Sequence, residues 1–188
     1  MAERSSLVRL QGEYDVDVDW RGFELSPQTP KGGMSLTAKF GARAAQMTER
    51  VKGFAREFGI PDEDFHPPMH SPNTRSALAV AEYARDEGKL TPFRDAAMEA
   101  HWKDNVSLED PDVIRKVAKK AGIDPEKAVV AMSDEQYLGR VDALREEANL
   151  AGVSGIPTFF FGGIKVVGCQ PYEVLERAAS MAGAKKKA

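Results

Sequence analysis

Two kinds of hydrophobic spacing divide this chain. In Asp15-Val16-Asp17-Val18-Asp19-Trp20 polar and apolar residues alternate with period two, and the pattern runs on toward Phe23 and Leu25. Side chains of an extended strand point to opposite faces in turn, so this spacing predicts a half-buried strand over 15–25 with its aspartates on the solvated face. Elsewhere the apolar residues return every three or four positions, the spacing of one helix face. Leu7, Val8 and Leu10 mark a short helix over 2–11 that Gly12 ends. Phe40, Ala44, Met47, Val51, Phe54, Ala55 and Phe58 mark a long one over 36–58. Ser71-Pro72 reads as an N-cap followed by proline at the first helical position, opening a helix through Leu78, Ala81, Tyr83 and Ala84 that ends at Gly88. Further helices are predicted over 91–102, 110–121, 125–132 and 134–151, and Asp110-Pro111 and Asp124-Pro125 repeat the cap-then-proline signature. Ser26 to Gly33, with two prolines and two glycines, is a loop.

Near the C-terminus the period changes again. Gly152-Val153-Ser154-Gly155-Ile156-Pro157 leads into the aromatic run Thr158-Phe159-Phe160-Phe161, then Gly162-Gly163, then Ile164-Lys165-Val166-Val167. This is an X-Pro turn feeding a β-hairpin over 157–167. Pro157 has no N–H for a ladder, which places it at a strand's first residue or on an edge. A final helix over 171–182 follows Pro171.

Composition narrows the class. The 188 residues are 42% hydrophobic and 29% charged, a globular balance sufficient for one compact domain or a core with an inserted subdomain. A net charge of −3 argues against nucleic acid, which demands a basic face. Lys185-Lys186-Lys187 reads as a solvated tail. No apolar stretch reaches the roughly 20 residues of a membrane helix, and MAERSSLVRL lacks the apolar segment of a signal peptide. Cys169 is the single cysteine, so no intramolecular disulfide can form. Together these features lead to the expectation of a soluble, cytoplasmic protein.

Most motifs dissolve on inspection. His66 and His70 have the spacing of two ligands on one helix face, but Pro67-Pro68 between them forbids that helix, and no metal site is expected. Gly152-Val153-Ser154-Gly155 resembles a nucleophile elbow, yet Ile156 replaces its last glycine and a strand follows in place of a helix. Gly163 to Gly168 has phosphate-loop glycine spacing without the Lys-Ser/Thr that would follow. Asp15, Asp17 and Asp19 read as the solvated face of an edge strand, where charge discourages edge pairing. Trp20, Tyr83, Phe93, Trp102 and Tyr137 are expected in the core. Cys169 reads first as a small buried hydrophobe and second as a reactive thiol.

The combination Val153-Ser154-Gly155-Ile156-Pro157-Thr158-Phe159, a short hairpin, then Gly168-Cys169-Gln170-Pro171-Tyr172 and a last helix resembles the C-terminal part of DsbA-family thioredoxin-fold proteins. The likeness is strongest to their FrnE-like branch, related to 2-hydroxychromene-2-carboxylate isomerases and kappa-class glutathione transferases. Val16 to Leu25 resembles the family's second strand, and His70-Ser71-Pro72-Asn73-Thr74 the start of a helix in its inserted helical subdomain. The resemblance implies an α/β thioredoxin-like fold of the DsbA type. Its core would comprise 1–35 and 151–188, with a helical insertion over 36–150. It also implies a cis Ile156–Pro157 peptide, with Ile156, Pro157 and Thr158 holding an extended peptide or small thiol substrate by main-chain pairing. Gln170 stands where kappa-class relatives use a Ser-Asp pair to hold glutathione. Glutathione is thus the one small cofactor left open.

The family's first strand leads into Cys-x-x-Cys, or a serine in the isomerase and transferase branches, at a helix N-terminus that stabilises a thiolate. Met1-Ala2-Glu3-Arg4-Ser5-Ser6 is expected to begin inside that helix, so the first strand and every catalytic residue are missing. That strand is central in the family's sheet. Its loss leaves three expected outcomes: a three-stranded sheet with altered pairing, a hairpin with strand 15–25 displaced, or a homodimer completing the sheet. Three functions follow from the resemblance: a thiol–disulfide oxidoreductase family member inactive as a dithiol oxidase; a non-catalytic peptide- or glutathione-binding module; and a glutathione-dependent isomerase or transferase.

Overall fold

The computed structural model describes residues 2–57, 59–67 and 70–187. Phe58, the end of the helix predicted over 36–58, and Pro68, half of the Pro67-Pro68 break, lie outside the described residues. The chain divides into two compact units, Met1–Arg21 with Ala148–Ala188, and Gly22–Glu147.

The unit Gly22–Glu147 is helical, apart from a short antiparallel bridge between β1 (Met34–Ser35) and β2 (His70–Ser71). The helix predicted over 36–58 is two helices, α2 (Leu36–Phe40) and α3 (Arg43–Glu57). Gly41, at φ 58° and ψ −137°, ends α2 by donating its N–H to Thr37 O. Of the predicted stripe, Ala44 and Ala55 are buried, while Met47, Val51 and Phe54 remain exposed. The helix predicted from Ser71 also starts later. Ser71 belongs to β2, and α4 (Arg75–Asp86) begins after Asn73 Oδ1 accepts from the Arg75 N–H at 2.9 Å.

α5 (Leu90–Trp102), α6 (Pro111–Ala121) and α7 (Pro125–Ala131) form with α4 the core of this unit. It is rich in alanine: Ala79, Ala84, Ala118 and Ala128 are fully buried around Val80, Phe93 and Ile114. Small side chains let the helix axes approach closely, and the larger ones fill the remaining space. The cap-then-proline reading holds. The Asp110 carboxylate accepts from Asp112 N at 2.8 Å, and that of Asp124 from Glu126 N at 2.9 Å and Lys127 N at 3.1 Å. Phe93 and Tyr83 are buried as expected, whereas Trp20, Trp102 and Tyr137 are only half-buried. α8 (Glu135–Leu150) follows, and the boundary between the units falls in its last turn.

The other unit contains α1 (Ala2–Glu13), the hairpin of β3 (Thr158–Phe161) and β4 (Ile164–Val167), and α9 (Tyr172–Met181). α1 does not stop at Gly12. Arg9 pairs with Glu13 across one turn at 2.8 Å, and the Tyr172 hydroxyl donates to Glu13 at 2.8 Å, so the final turn is held from two sides. Leu10, Tyr14, Tyr172 and Ala179 form its core, with Val16 and Phe161 against them.

The strand predicted over 15–25 does not form. Asp15, Asp17 and Asp19 are exposed and Val16, Val18 and Trp20 half-buried, so the alternation survives, but the segment joins no ladder among the described residues. A single bridge, Tyr14 to Lys186, precedes it. Period two fixes which way side chains point; a strand also needs a neighbour to receive its N–H and C=O groups. The even-numbered positions remain the inward ones, so Glu24 is buried and Leu25 exposed, the reverse of what their polarity predicts. Of the three expected outcomes for the sheet, the described residues give a lone β3–β4 hairpin. Among them no helix is long and apolar enough to cross a membrane.

Candidate functional site

The hairpin carries the residues singled out from the sequence. Register runs Thr158 to Val167, Phe159 to Val166, Phe160 to Lys165 and Phe161 to Ile164, closed by Gly162-Gly163. Gly162 has φ 58°, which a two-residue turn of this hand requires and glycine adopts without a Cβ clash. Before the strand, the Ile156–Pro157 peptide is cis. Pro157 O accepts from Gly168 N at 2.8 Å, which makes this the first hydrogen-bonded pair of the ladder.

Hydrogen-bonded and non-bonded pairs alternate along an antiparallel ladder. Counting from Pro157, the main-chain groups of Phe159 and Phe161 face β4, and those of Thr158 and Phe160 face away. β3 has no second strand neighbour among the described residues, so this edge presents two N–H and two C=O groups. Ile156 is 55% exposed and Phe160 49%, giving the edge an apolar border. The Thr158 hydroxyl does not project along it; it donates to Gly155 O at 2.7 Å and braces the turn.

Sequence reasoning missed two participants. Phe160 shares the outward register with Thr158, which counting by two from Thr158 would have found. Lys165 donates from Nζ to Gly152 O at 3.1 Å, tying the Gly152–Gly155 elbow to β4, and no sequence pattern signals that contact. Gln170 lies beyond the end of β4 and donates from Nε2 to Val167 O at 2.8 Å. Cys169 beside it is half-buried. The structure thus gathers Ile156, Pro157 and Thr158 at one end of β3, with Cys169 and Gln170 following the opposed end of β4.

α9 is anchored beneath the hairpin by charge. The Arg9 guanidinium lies 3.8 Å over the Tyr172 ring. Burial, reinforced by the hydrogen bond to Glu13, pushes the Tyr172 phenol up to about 12. Arg9 holds the Glu13 carboxyl below its ordinary range, so the acceptor stays ionised. Neither histidine of the 66/70 pair joins this group. His66 Nδ1 contacts Lys103 O at 2.9 Å, and His70 Nε2 contacts Gly32 O at 2.7 Å. Among the described residues no group of three or more His, Cys, Asp and Glu could hold a metal ion.

A proline-led hairpin closed by a C-terminal helix, with a helical block between it and α1, defines a thioredoxin-like fold of the helix-inserted kind. A family model described as the DSBA-like thioredoxin domain matches residues 2–180, and the chain belongs to that family. It is similar to the uncharacterized protein YwbO of Bacillus subtilis (strain 168), 24% identical over 172 residues, covering 88% of this chain and 82% of that protein. In structure it is similar to the probable DsbA oxidoreductase SCO1869 from Streptomyces coelicolor, at a TM-score of 0.83 and 25% identity, covering 96% of this chain and 83% of that one. It shares its fold with a 2-hydroxychromene-2-carboxylate isomerase, at a TM-score of 0.74 and 18% identity, covering 97% and 87% of the two chains. With Cys169 as its one cysteine, the sequence contains no Cys-x-x-Cys.

Proposed function

We propose that this chain is a FrnE-like member of the DsbA family that holds an extended peptide or small thiol along the open edge of β3 and performs no dithiol exchange with its own residues. The observation that carries the reading is the edge itself: two N–H and two C=O groups at Thr158 and Phe160, beside the exposed Ile156 and the proline turn. Main-chain pairing there asks little of a substrate's sequence, which suits a protein that meets many unfolded chains. Exchange between a thiol and a disulfide within one protein needs an attacking and a resolving cysteine, and Cys169 has no second thiol to resolve a mixed disulfide. A chain with one cysteine also fits the cytoplasm, where thiols are kept reduced. Glutathione would occupy the same edge, with Gln170 at the far end of the hairpin as its polar neighbour, and a second copy of the chain could pair there in its place.

A titration of the 15N-labelled 188-residue chain with an unfolded, cysteine-containing decapeptide tests the proposal. Four main-chain hydrogen bonds at about 1 kcal/mol each give a dissociation constant on the order of 1 mM. Shifts are expected at the Thr158 and Phe160 amides, lost when alternate amides of the peptide are N-methylated. Oxidation of the peptide should run at the uncatalysed rate and be unaffected by Cys169→Ser. Binding indifferent to N-methylation, or turnover that requires Cys169, would sink the proposal. Parallel titrations with glutathione, and of the chain against itself, show whether either ligand uses the same amides.

A further inference from the structure

Lys39, in the last turn of α2, is half-buried, and among the described residues its ammonium meets no carboxylate. Its Nζ donates to Ser26 Oγ at 2.7 Å and to Ser71 Oγ at 3.1 Å, and lies 5.5 Å from the centre of the Phe40 ring. A half-desolvated cation ordinarily meets an acid, because hydroxyl dipoles alone leave its charge uncompensated.

The donor inventory gives the ligand's chemistry. The ammonium carries three protons, and two are committed to the serines. Each serine oxygen accepts from the lysine and keeps its own O–H, for which no acceptor exists among the described residues. Three uncommitted donors and one positive charge therefore meet in one place, against one spare lone pair on each serine oxygen.

The Glu109 carboxylate, which meets the chain two residues past Ser71, is taken by main-chain donors: it accepts Gly32 N at 2.7 Å and Asn73 N at 3.1 Å. In the turn that starts at Ser26, Thr29 donates its N–H to Ser26 O, and its hydroxyl is buried without a partner. The three donors come from three different elements, the 26–29 turn, α2 and β2. The β1–β2 pairing fixes the position of Ser71.

We propose that Lys39, Ser26 and Ser71 form an oxyanion-binding site that takes the phosphate or carboxylate group of a small molecule. The lysine supplies a point charge and the hydroxyls turn their protons toward the ligand's oxygens. The site lies wholly within the unit Gly22–Glu147 and rests on no part of the strand-edge reading.

The test is a pair of NMR titrations of the 188-residue chain at pH 7, one with inorganic phosphate and one with acetate, with sodium chloride holding the ionic strength constant. Saturable shifts are expected at the Lys39 ammonium and at the Ser26 and Ser71 amides. Affinity should fall about tenfold or more in Lys39→Met and about threefold in Ser71→Ala, as loss of a charge and of one hydrogen bond require. Lys39→Arg should retain most of it. Tighter phosphate assigns a phosphorylated ligand, and tighter acetate a carboxylate. Absence of saturable shifts with both anions, or undiminished affinity in Lys39→Met, overturns the site. Thermal melts monitor folding of each variant, and if Lys39→Met does not fold, the wild-type titrations decide alone.

Discussion

Replacing Glu24 with glutamine should destabilise the unit Gly22–Glu147 more than neutralising any of its exposed acids. Glu24 is 5% exposed, and one of its oxygens accepts from Arg145 Nη1 at 3.0 Å and Arg75 Nη1 at 3.3 Å. Asp142 completes the cluster, gripping Arg75 with two bonds of 2.7 Å and Arg145 with one of 3.0 Å. Two acids and two arginines balance, so Glu24→Gln leaves one positive charge in excess and weakens two charge-assisted hydrogen bonds. Each is worth about 1.5–3 kcal/mol when buried. The arginine side chains are 31% and 33% exposed, so water recovers part of the loss. The net cost should be about 2–4 kcal/mol, read as a fall in the urea midpoint followed by circular dichroism. Asp142 is 45% exposed, and although Arg75 holds its carboxyl below the ordinary range, Asp142→Asn should cost less than about 1 kcal/mol. If Asp142→Asn proves as costly as Glu24→Gln, burial is not what gives this cluster its weight.

Two further outcomes follow from local geometry. Gly33 has φ 71°, and a Cβ there would stand 2.3 Å from His70 Nε2 and 2.6 Å from Ser71 O, so Gly33→Ala should open the β1–β2 bridge at a cost of about 2–4 kcal/mol. Gly32→Ala, at φ 85° with nothing near its Cβ, should cost about 1–2 kcal/mol, and urea denaturation of the two variants checks the difference. Burial lowers the His101 imidazole from its ordinary 6.5. The unfolded chain then binds the proton first, so the native state is favoured in full above pH 6.5 and loses stability as pH falls from there through the lowered value. His101→Gln should flatten the slope of unfolding free energy between about pH 7 and 5, and an unchanged slope would rule out His101 as its source. The depressed carboxyls of Glu13, Asp86 and Asp142 add their own losses only in more acid solution, below their ordinary values near 4.

Legibility tracked the range of the interactions involved. Asp110-Pro111 and Asp124-Pro125 announced two helix starts correctly, because a cap bonds to N–H groups two or three residues away. Ser71-Pro72 looked identical and was not a start, because Ser71 pairs with Met34, 37 positions away, and so lies in β2. The hairpin at 158–167 was readable from Gly162-Gly163 and the aromatic run, a local signal. Strand 15–25 was not, since its alternation is local but its partner is not.

By itself the sequence determined the helical block, the hairpin, the position of Pro157 at the mouth of β3 and the absence of a second cysteine. Those depend on φ restriction, turn chemistry and near-neighbour hydrogen bonds, all written within a few residues. Tertiary structure alone decided that Glu24 would be buried between Arg75 and Arg145, that Lys165 would brace the elbow at Gly152, and that Lys39 would face two serines. Each joins groups 13 to 121 residues apart along the chain. No period or motif encodes such meetings, because they arise where separate elements pack and each side chain takes the partner that packing leaves within reach.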